Sequence, residues 1–169
     1  MNTCIEIFIG LGSNLGGRSD RLSLARAALQ SKIGRMLSQS AIVETTAVGM
    51  APGTPAFLNQ VVGVEVLRGA DPQAVMAELL HIERALGRVR HQRDHGGYAS
   101  RTIDLDLLLW PELECSLLAD GAAPELILPH PRLLERDFVL GGLAEIAGRV
   151  EIPGASMAVG EALKKLRQG

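Results

Sequence analysis

Near the amino terminus, Ile5, Ile7, Ile9 and Leu11 alternate with Glu6 and Phe8, and the pattern stops at Gly12-Ser13-Asn14. A period of two puts every second side chain on one face of an extended chain, so this stretch predicts a strand ending in a polar turn. After Gly16-Gly17 the period lengthens: Leu22, Ala25, Leu29 and Ile33 recur at the spacing of one stripe on a helix. A second strand is expected within 36–45. The run 46–55 is rich in turn formers and reads as a long surface loop, a feature often functional in small domains. Val61, Val62, Val64 and Val66 restore strand character over 57–67. Asp71-Pro72 then offers an N-cap and a first-turn proline to a helix carrying Val75, Leu79, Ile82 and Leu86 and stopped by Gly87. A fourth strand is predicted over 102–110 and a short apolar piece at 126–128. Helical patterns follow over 133–146 and 159–166, the last with Ser156 as its cap.

The first six of these elements run βαββαβ. That order predicts an α+β fold with a ferredoxin-like core, a mainly antiparallel sheet with helices on one face, and additional helices at the carboxyl end. A chain of 169 residues suits a single domain, 1–169. The composition is 47% apolar but only 3% aromatic, so the core should be aliphatic. A net charge of -2 argues against a general nucleic-acid or membrane-surface binder, which carries a broad basic excess. Cys4 and Cys115 are lone thiols, suited to a reducing cytoplasm rather than a disulfide scaffold. The amino terminus has no basic region before its apolar run, and no segment approaches the ~20 apolar residues of a membrane helix. A soluble cytoplasmic monomer acting on small molecules is expected.

Charge is concentrated in one place. Arg88, Arg90, Arg93 and Arg101 lie in or beside a glycine-containing loop, and Asp104 and Asp106 follow at the mouth of an apolar strand. Guanidinium forks grip phosphate oxygens, and carboxylates hold divalent cations; bound polyphosphate needs both. Residues two apart on a strand share a face, so Asp104 and Asp106 point together while Ile103, Leu105, Leu107 and Leu109 point into the core. Their Cα atoms should lie ~6.6 Å apart, close enough to share one metal or flank two. The plainer alternative is a solvated face, or pairing with the nearby arginines. Counting Arg84, the arginines between 81 and 101 exceed what two exposed salt bridges would use, and phosphate would absorb the surplus. His130, held between Pro129 and Pro131 and followed by Arg136, suits either a phosphate contact or a structural histidine. The glycine-rich run from Gly10 to Gly17 matches neither a dinucleotide fingerprint nor a P-loop, and reads as a tight turn packed beneath the site.

Four separated blocks carry a resemblance over most of the chain: GSNLG at 12–16; ETTAVG at 44–49 with Phe57-Leu58-Asn59; GRVR at 87–90 with RTIDLDLLL at 101–109; and LPHP at 128–131 running to Arg136-Asp137-Phe138. In that order they resemble the 6-hydroxymethyl-7,8-dihydropterin pyrophosphokinase family of folate biosynthesis. The resemblance implies transfer of the β,γ-pyrophosphoryl unit of ATP to the pterin hydroxymethyl group, with release of AMP. It implies two Mg²⁺ ions on Asp104 and Asp106, and Arg88 and Arg101 stabilising charge on the moving group. Glu83, Arg90, His130 and Arg136 would line the ATP side. Thr45, Val48 and Asn59 would edge the pterin, with Phe57 and Phe138 as aromatic faces above and below it. The chain departs from the family pattern before the metal strand, where His95-Gly96-Gly97-Tyr98-Ala99-Ser100 replaces a tryptophan-containing stretch. Thr46 and Ala47 stand where prolines are usual, and Pro131 stands where an aromatic is usual. Two rival readings differ in class. A non-catalytic ferredoxin-like module binding an anion or nucleotide would have no need of Asp104 and Asp106 together. A Mg²⁺-dependent nucleotidyl transferase or nuclease should show a wider basic surface.

Overall fold

The computed structural model describes residues 3–47, 50, 52–88, 101–117 and 124–169. Its central sheet is built from β1 (Cys4–Ser13), β2 (Met36–Gln39), β3 (Val43–Thr45), β4 (Phe57–Leu67) and β5 (Asp104–Leu109). The strands run antiparallel in the order β2-β4-β1-β5, with β3 also paired to β4. With α1 (Arg18–Lys32) after β1 and α2 (Pro72–Ala85) after β4, this is the expected ferredoxin-like core.

The alternation read from the sequence sorts the two faces of the sheet. Ile7, Ile9 and Leu11 of β1, Val62 and Val64 of β4, and Leu105 and Leu107 of β5 pack in one buried cluster with Leu22 and Leu29 of α1 and Leu79 and Ile82 of α2. Helix α2 begins as its sequence predicts: Asp71 accepts from the Gln73 amide at 3.0 Å, and Pro72 opens the first turn. The other face is covered in part by α3 (Asp137–Ala147) and α4 (Val159–Gln168), whose Val139, Leu140, Leu143 and Val159 pack with Phe8, Val61 and Leu108. Helices therefore lie on both faces, one pair on each. Helix α3 can approach the sheet because of Gly142: a Cβ there would stand 2.7 Å from a Val61 methyl carbon.

Several boundaries differ from the sequence reading, each for a local reason. The single strand expected within 36–45 is two short ones, β2 and β3. Ser40 binds Val61 in both directions between them, its amide donating to the Val61 carbonyl and its Oγ accepting from the Val61 amide, each at 2.9 Å. The next amide, that of Ala41, leaves the ladder and donates to the Glu145 carboxylate at 3.0 and 3.1 Å. The helix expected over 133–146 breaks at Arg136, which is extended at φ -106°, ψ 104°; a 3-10 turn, Leu133–Glu135, precedes it and α3 follows. Ser156 does not cap α4. It sits at φ 51° in the turn of a small hairpin, β8 (Glu151–Ile152) and β9 (Met157–Ala158), and the N-cap of α4 is Ala158, whose amide donates to Glu161 at 3.2 Å. The short piece at 126–128 is β7 (Leu126–Leu128), paired with β6 (Cys115–Leu117). The register slips between Phe8–Leu109 and Ile9–Leu107, and this bulge turns Leu109 into the cluster with α3 rather than alongside Leu105 and Leu107. Among the described residues, no helix is long and apolar enough to cross a membrane.

Candidate active site

Where α3 and α4 stop covering the sheet, its second face forms a floor. The register sets Gly10 opposite Asp106, and Gly12 opposite both Asp104 and Asn59. Two glycines on the central strand add no side chain of their own to that floor; at Gly10 the space is taken by Leu108, whose Cδ1 would lie 3.2 Å from a Cβ there. A Cβ at Gly12 would lie 3.2 Å from Asn59 Oδ1 and crowd the side chain it now faces. Above this floor is a cleft of about 790 Å³, within the range of roughly 300–1,000 Å³ typical for small-molecule sites. Thr45 and Phe57 line one side and Arg136 and Phe138 another, with Arg101, Asp104 and Asp106 between them. Thr45 lies opposite Phe57 in the β3–β4 pairing, and its hydroxyl accepts from Asn59 Nδ2 at 2.8 Å. That bond leaves the Asn59 carbonyl oxygen on the glycine side.

The charged network beneath is layered. Arg88 Nη1 bridges Glu83 Oε1 and Asp104 Oδ1, while Arg101 Nη1 pairs with Asp104 Oδ2. Glu83 is only 1% exposed and could not stay charged there unaided. It is satisfied by Arg88 and by the Leu105 amide, which donates to Oε1 at 2.8 Å. Asp106 has a looser partner, Arg136 Nη1, at 3.6 Å.

The two aspartates consequently titrate in opposite directions. Burial pushes the Asp104 carboxyl up, but the Arg101 and Arg88 guanidiniums outweigh it and hold the group below the usual carboxylate range. Burial and then the charge of Asp104 push Asp106 up to about 7, with Arg136 and Arg101 opposing. Burial and the neighbouring Arg136 hold His130 below the ordinary histidine value. A pair of carboxylates whose second member resists ionisation is short of positive charge on its open side. Among the described residues no group of three or more His, Cys, Asp or Glu could hold a metal. Among the described residues a cation here would rest on Asp104 and Asp106, a donor set that Mg²⁺ accepts when water and phosphate oxygens complete its shell.

Most of the residues singled out in the sequence converge. Thr45, Phe57, Asn59, Arg101, Asp104, Asp106, Arg136 and Phe138 all line the cleft. Glu83 and Arg88 support it through Asp104. His130 faces a second, shallower cleft with Cys115, Pro129 and Pro131; its amide donates to the Leu108 carbonyl at 2.8 Å, and its Nδ1 accepts from the Arg132 amide at 3.1 Å. Val48, Arg90 and the loop containing Tyr98 lie outside the described residues.

The sequence reading passed over Asn14. This residue, 1% exposed, exchanges two bonds with Arg101: its amide donates to the Arg101 carbonyl at 3.1 Å, and its Oδ1 accepts from the Arg101 amide at 2.7 Å. Its Nδ2 donates to the Pro55 carbonyl at 3.2 Å. Ser13 Oγ adds a bond to the Thr102 carbonyl at 2.6 Å, and Arg18 Nη1 one to the Ala56 carbonyl at 2.6 Å. The signals of Asn14 along the chain were the polar turn after β1 and its place in the GSNLG block at 12–16.

The model of the 7,8-dihydro-6-hydroxymethylpterin-pyrophosphokinase (HPPK) family matches residues 8–148. A 2-amino-4-hydroxy-6-hydroxymethyldihydropteridine pyrophosphokinase of Porphyromonas gingivalis is 40% identical over 142 residues, 83% of this chain and 90% of that protein. The Bacillus subtilis protein of the same name is 37% identical over 145 residues, 85% of this chain and 79% of its own length. Among solved structures, wild-type Plasmodium falciparum HPPK-DHPS with pteroate has the same fold at a TM-score of 0.72 and 12% identity, over 98% of this chain and 43% of that one. This chain thus spans under half the length of that structure, and the likeness there is one of fold. The family model and the relatives together establish that the chain belongs to the 7,8-dihydro-6-hydroxymethylpterin-pyrophosphokinase family.

Proposed function

We propose that this chain transfers the β,γ-pyrophosphoryl group of ATP, as one unit and with Mg²⁺, to the hydroxymethyl group of 6-hydroxymethyl-7,8-dihydropterin, releasing AMP. The observation that carries the reading is the placement of Asp104 and Asp106 on the floor of a cleft with aromatic rings on its walls and guanidiniums at its edge. A flat heterocycle fits between Phe57 and Phe138 by stacking, and its polar edge finds the amide of Asn59 and the hydroxyl of Thr45. The family resemblance implies a pterin contact for Val48 as well. The mouth of β5 would then hold the reacting hydroxyl, with the ATP phosphates arriving from the side of Arg101 and Arg136; the family resemblance implies that Arg90 and His130 also contact the nucleotide.

Two Mg²⁺ ions held by Asp104 and Asp106 would supply charge neutralisation at the phosphates and lower the pKa of the attacking hydroxyl. The protein's own residues do the positioning. Arg101 is about a quarter exposed, at 27%, and can turn from Asp104 to a phosphate oxygen; Arg88, at 10%, stays anchored by buried Glu83. A pyrophosphoryl group in transfer spreads charge over its equatorial oxygens. Arginine forks already in place stabilise that charge without reorganising solvent. No protein nucleophile is needed.

Incubating the purified chain with ATP, Mg²⁺ and the dihydropterin, then resolving nucleotides by ion exchange, tests the reading. Pterin-dependent AMP, lost on chelating the metal, is the expected result. ADP or no turnover would overturn it.

A further inference from the structure

We infer that Asn14 is a positioning residue that ties the phosphate-handling side of the cleft to its pterin side; the inference rests on the function proposed above. The bonds of this one buried amide reach in two directions. Its Oδ1 takes the Arg101 amide at 2.7 Å, fixing the backbone from which the Arg101 guanidinium reaches Asp104. Its Nδ2 holds the Pro55 carbonyl at 3.2 Å, two residues before Phe57, at the end of the turn-rich loop where β4 begins. Only an amide can do both, because it presents an acceptor and a donor side by side. Aspartate has no donor when ionised, and serine is too short to span both partners.

The rest of the turn leaves Asn14 the role of link rather than of support. The β1 end is already fastened to the 101–102 segment by the Asn14 amide and by Ser13 Oγ, and the Pro55-Ala56 segment is already held by Arg18. What the Asn14 side chain adds is a common reference for the two segments. Binding on one side then settles geometry on the other. A misplacement of about 1 Å between reacting groups can cost on the order of a hundredfold in rate, so such a tie bears on turnover more than on folding.

The two halves of the amide separate experimentally. In Asn14→Asp the acceptor toward Arg101 remains and the donor toward Pro55 is lost, so KM for the pterin should rise about two- to tenfold, the range of one hydrogen bond. KM for ATP should change much less, and kcat should fall less than it does in Asn14→Ala. In Asn14→Ala both ties go, and kcat should fall about tenfold or more on top of the pterin effect. Circular dichroism and thermal midpoints show whether each variant is folded, and Asn14→Ser serves if Asn14→Ala is not. Wild-type protein measured in parallel separates failures: if it makes no AMP, the proposed function fails. If it does, and the folded variants match it, or Asn14→Asp and Asn14→Ala lose ATP and pterin affinity equally with the same kcat, the positioning role is wrong.

Discussion

The two faces of the central sheet use the same strands for opposite ends. Toward α1 and α2, strands β1, β4 and β5 present Ile7, Ile9, Leu11, Val62, Val64, Leu105 and Leu107, all buried and aliphatic. Toward the cleft, the same strands present Gly10, Gly12, Asn59, Asp104 and Asp106. The first face has burial of apolar surface to offer and is sealed. The second gives up that burial along half its length, and carries charge and open space in its place. Stability is thus concentrated on one side and chemistry on the other. Substitutions on the two faces should fail in different ways.

The largest contrast is between Asp106→Ala and Leu79→Ala. Removing Asp106 should lower Mg²⁺-dependent turnover by about three orders of magnitude, the scale of losing a charge-stabilising group at a reacting centre. The circular dichroism spectrum should stay that of the wild type, since the side chain lies on the cleft floor with a loose ion pair to Arg136. A folded variant with wild-type turnover at saturating Mg²⁺ would remove the metal assignment. Leu79→Ala should do the reverse: about 2–5 kcal/mol less stable in denaturant, with turnover per folded molecule retained.

A second contrast is in pH. Asp106 is raised to about 7 in the folded chain, far above its unfolded value, so without metal its contribution to stability is full at low pH and is lost as pH rises through about 7. Asp104 is lowered; its contribution is present at neutral pH and is lost as pH falls through its depressed folded value. Metal needs both carboxylates ionised. Mg²⁺ affinity by calorimetry should therefore be about tenfold weaker at pH 6 than at pH 8, and an affinity flat across that range would contradict the assignment.

The smallest effect separates the walls of the cleft from one another. Phe138→Ala should weaken pterin binding by about tenfold, the value of a lost stacking partner, and ATP binding by much less. Equal losses for both would make Phe138 a packing residue.

Much of this division was legible in the sequence, because period-two alternation states which face a strand residue takes. Asp104 and Asp106 share a face as expected, and Asp71-Pro72 opens α2 as expected. What was not legible depended on partners distant along the chain. The split between β2 and β3 follows from Ser40 meeting Val61 and from Ala41 meeting Glu145, more than a hundred residues on. The break at Arg136 interrupts a pattern that is helical on both sides of it. The packing of α3 against the sheet needs the lack of a side chain at Gly142. At the site, residue types announced the carboxylates and arginines, but the role of Asn14 appears only once 14, 55 and 101 are adjacent. Likewise, that Glu83 acts from below through Arg88, outside the cleft lining, is a matter of depth that spacing along the chain does not encode.

The most direct test of the central claim follows the phosphorus atoms. Parallel reactions with ATP labelled at the β or at the γ phosphorus, each with Mg²⁺ and the dihydropterin, report how many phosphorus atoms move together. Transfer of the pyrophosphoryl group as one unit predicts that both labels reach the pterin in equal amounts, matched by AMP. If only the γ label moves and ADP accumulates, the cleft performs ordinary phosphoryl transfer, and its arginines and paired aspartates do not serve a pyrophosphoryl group.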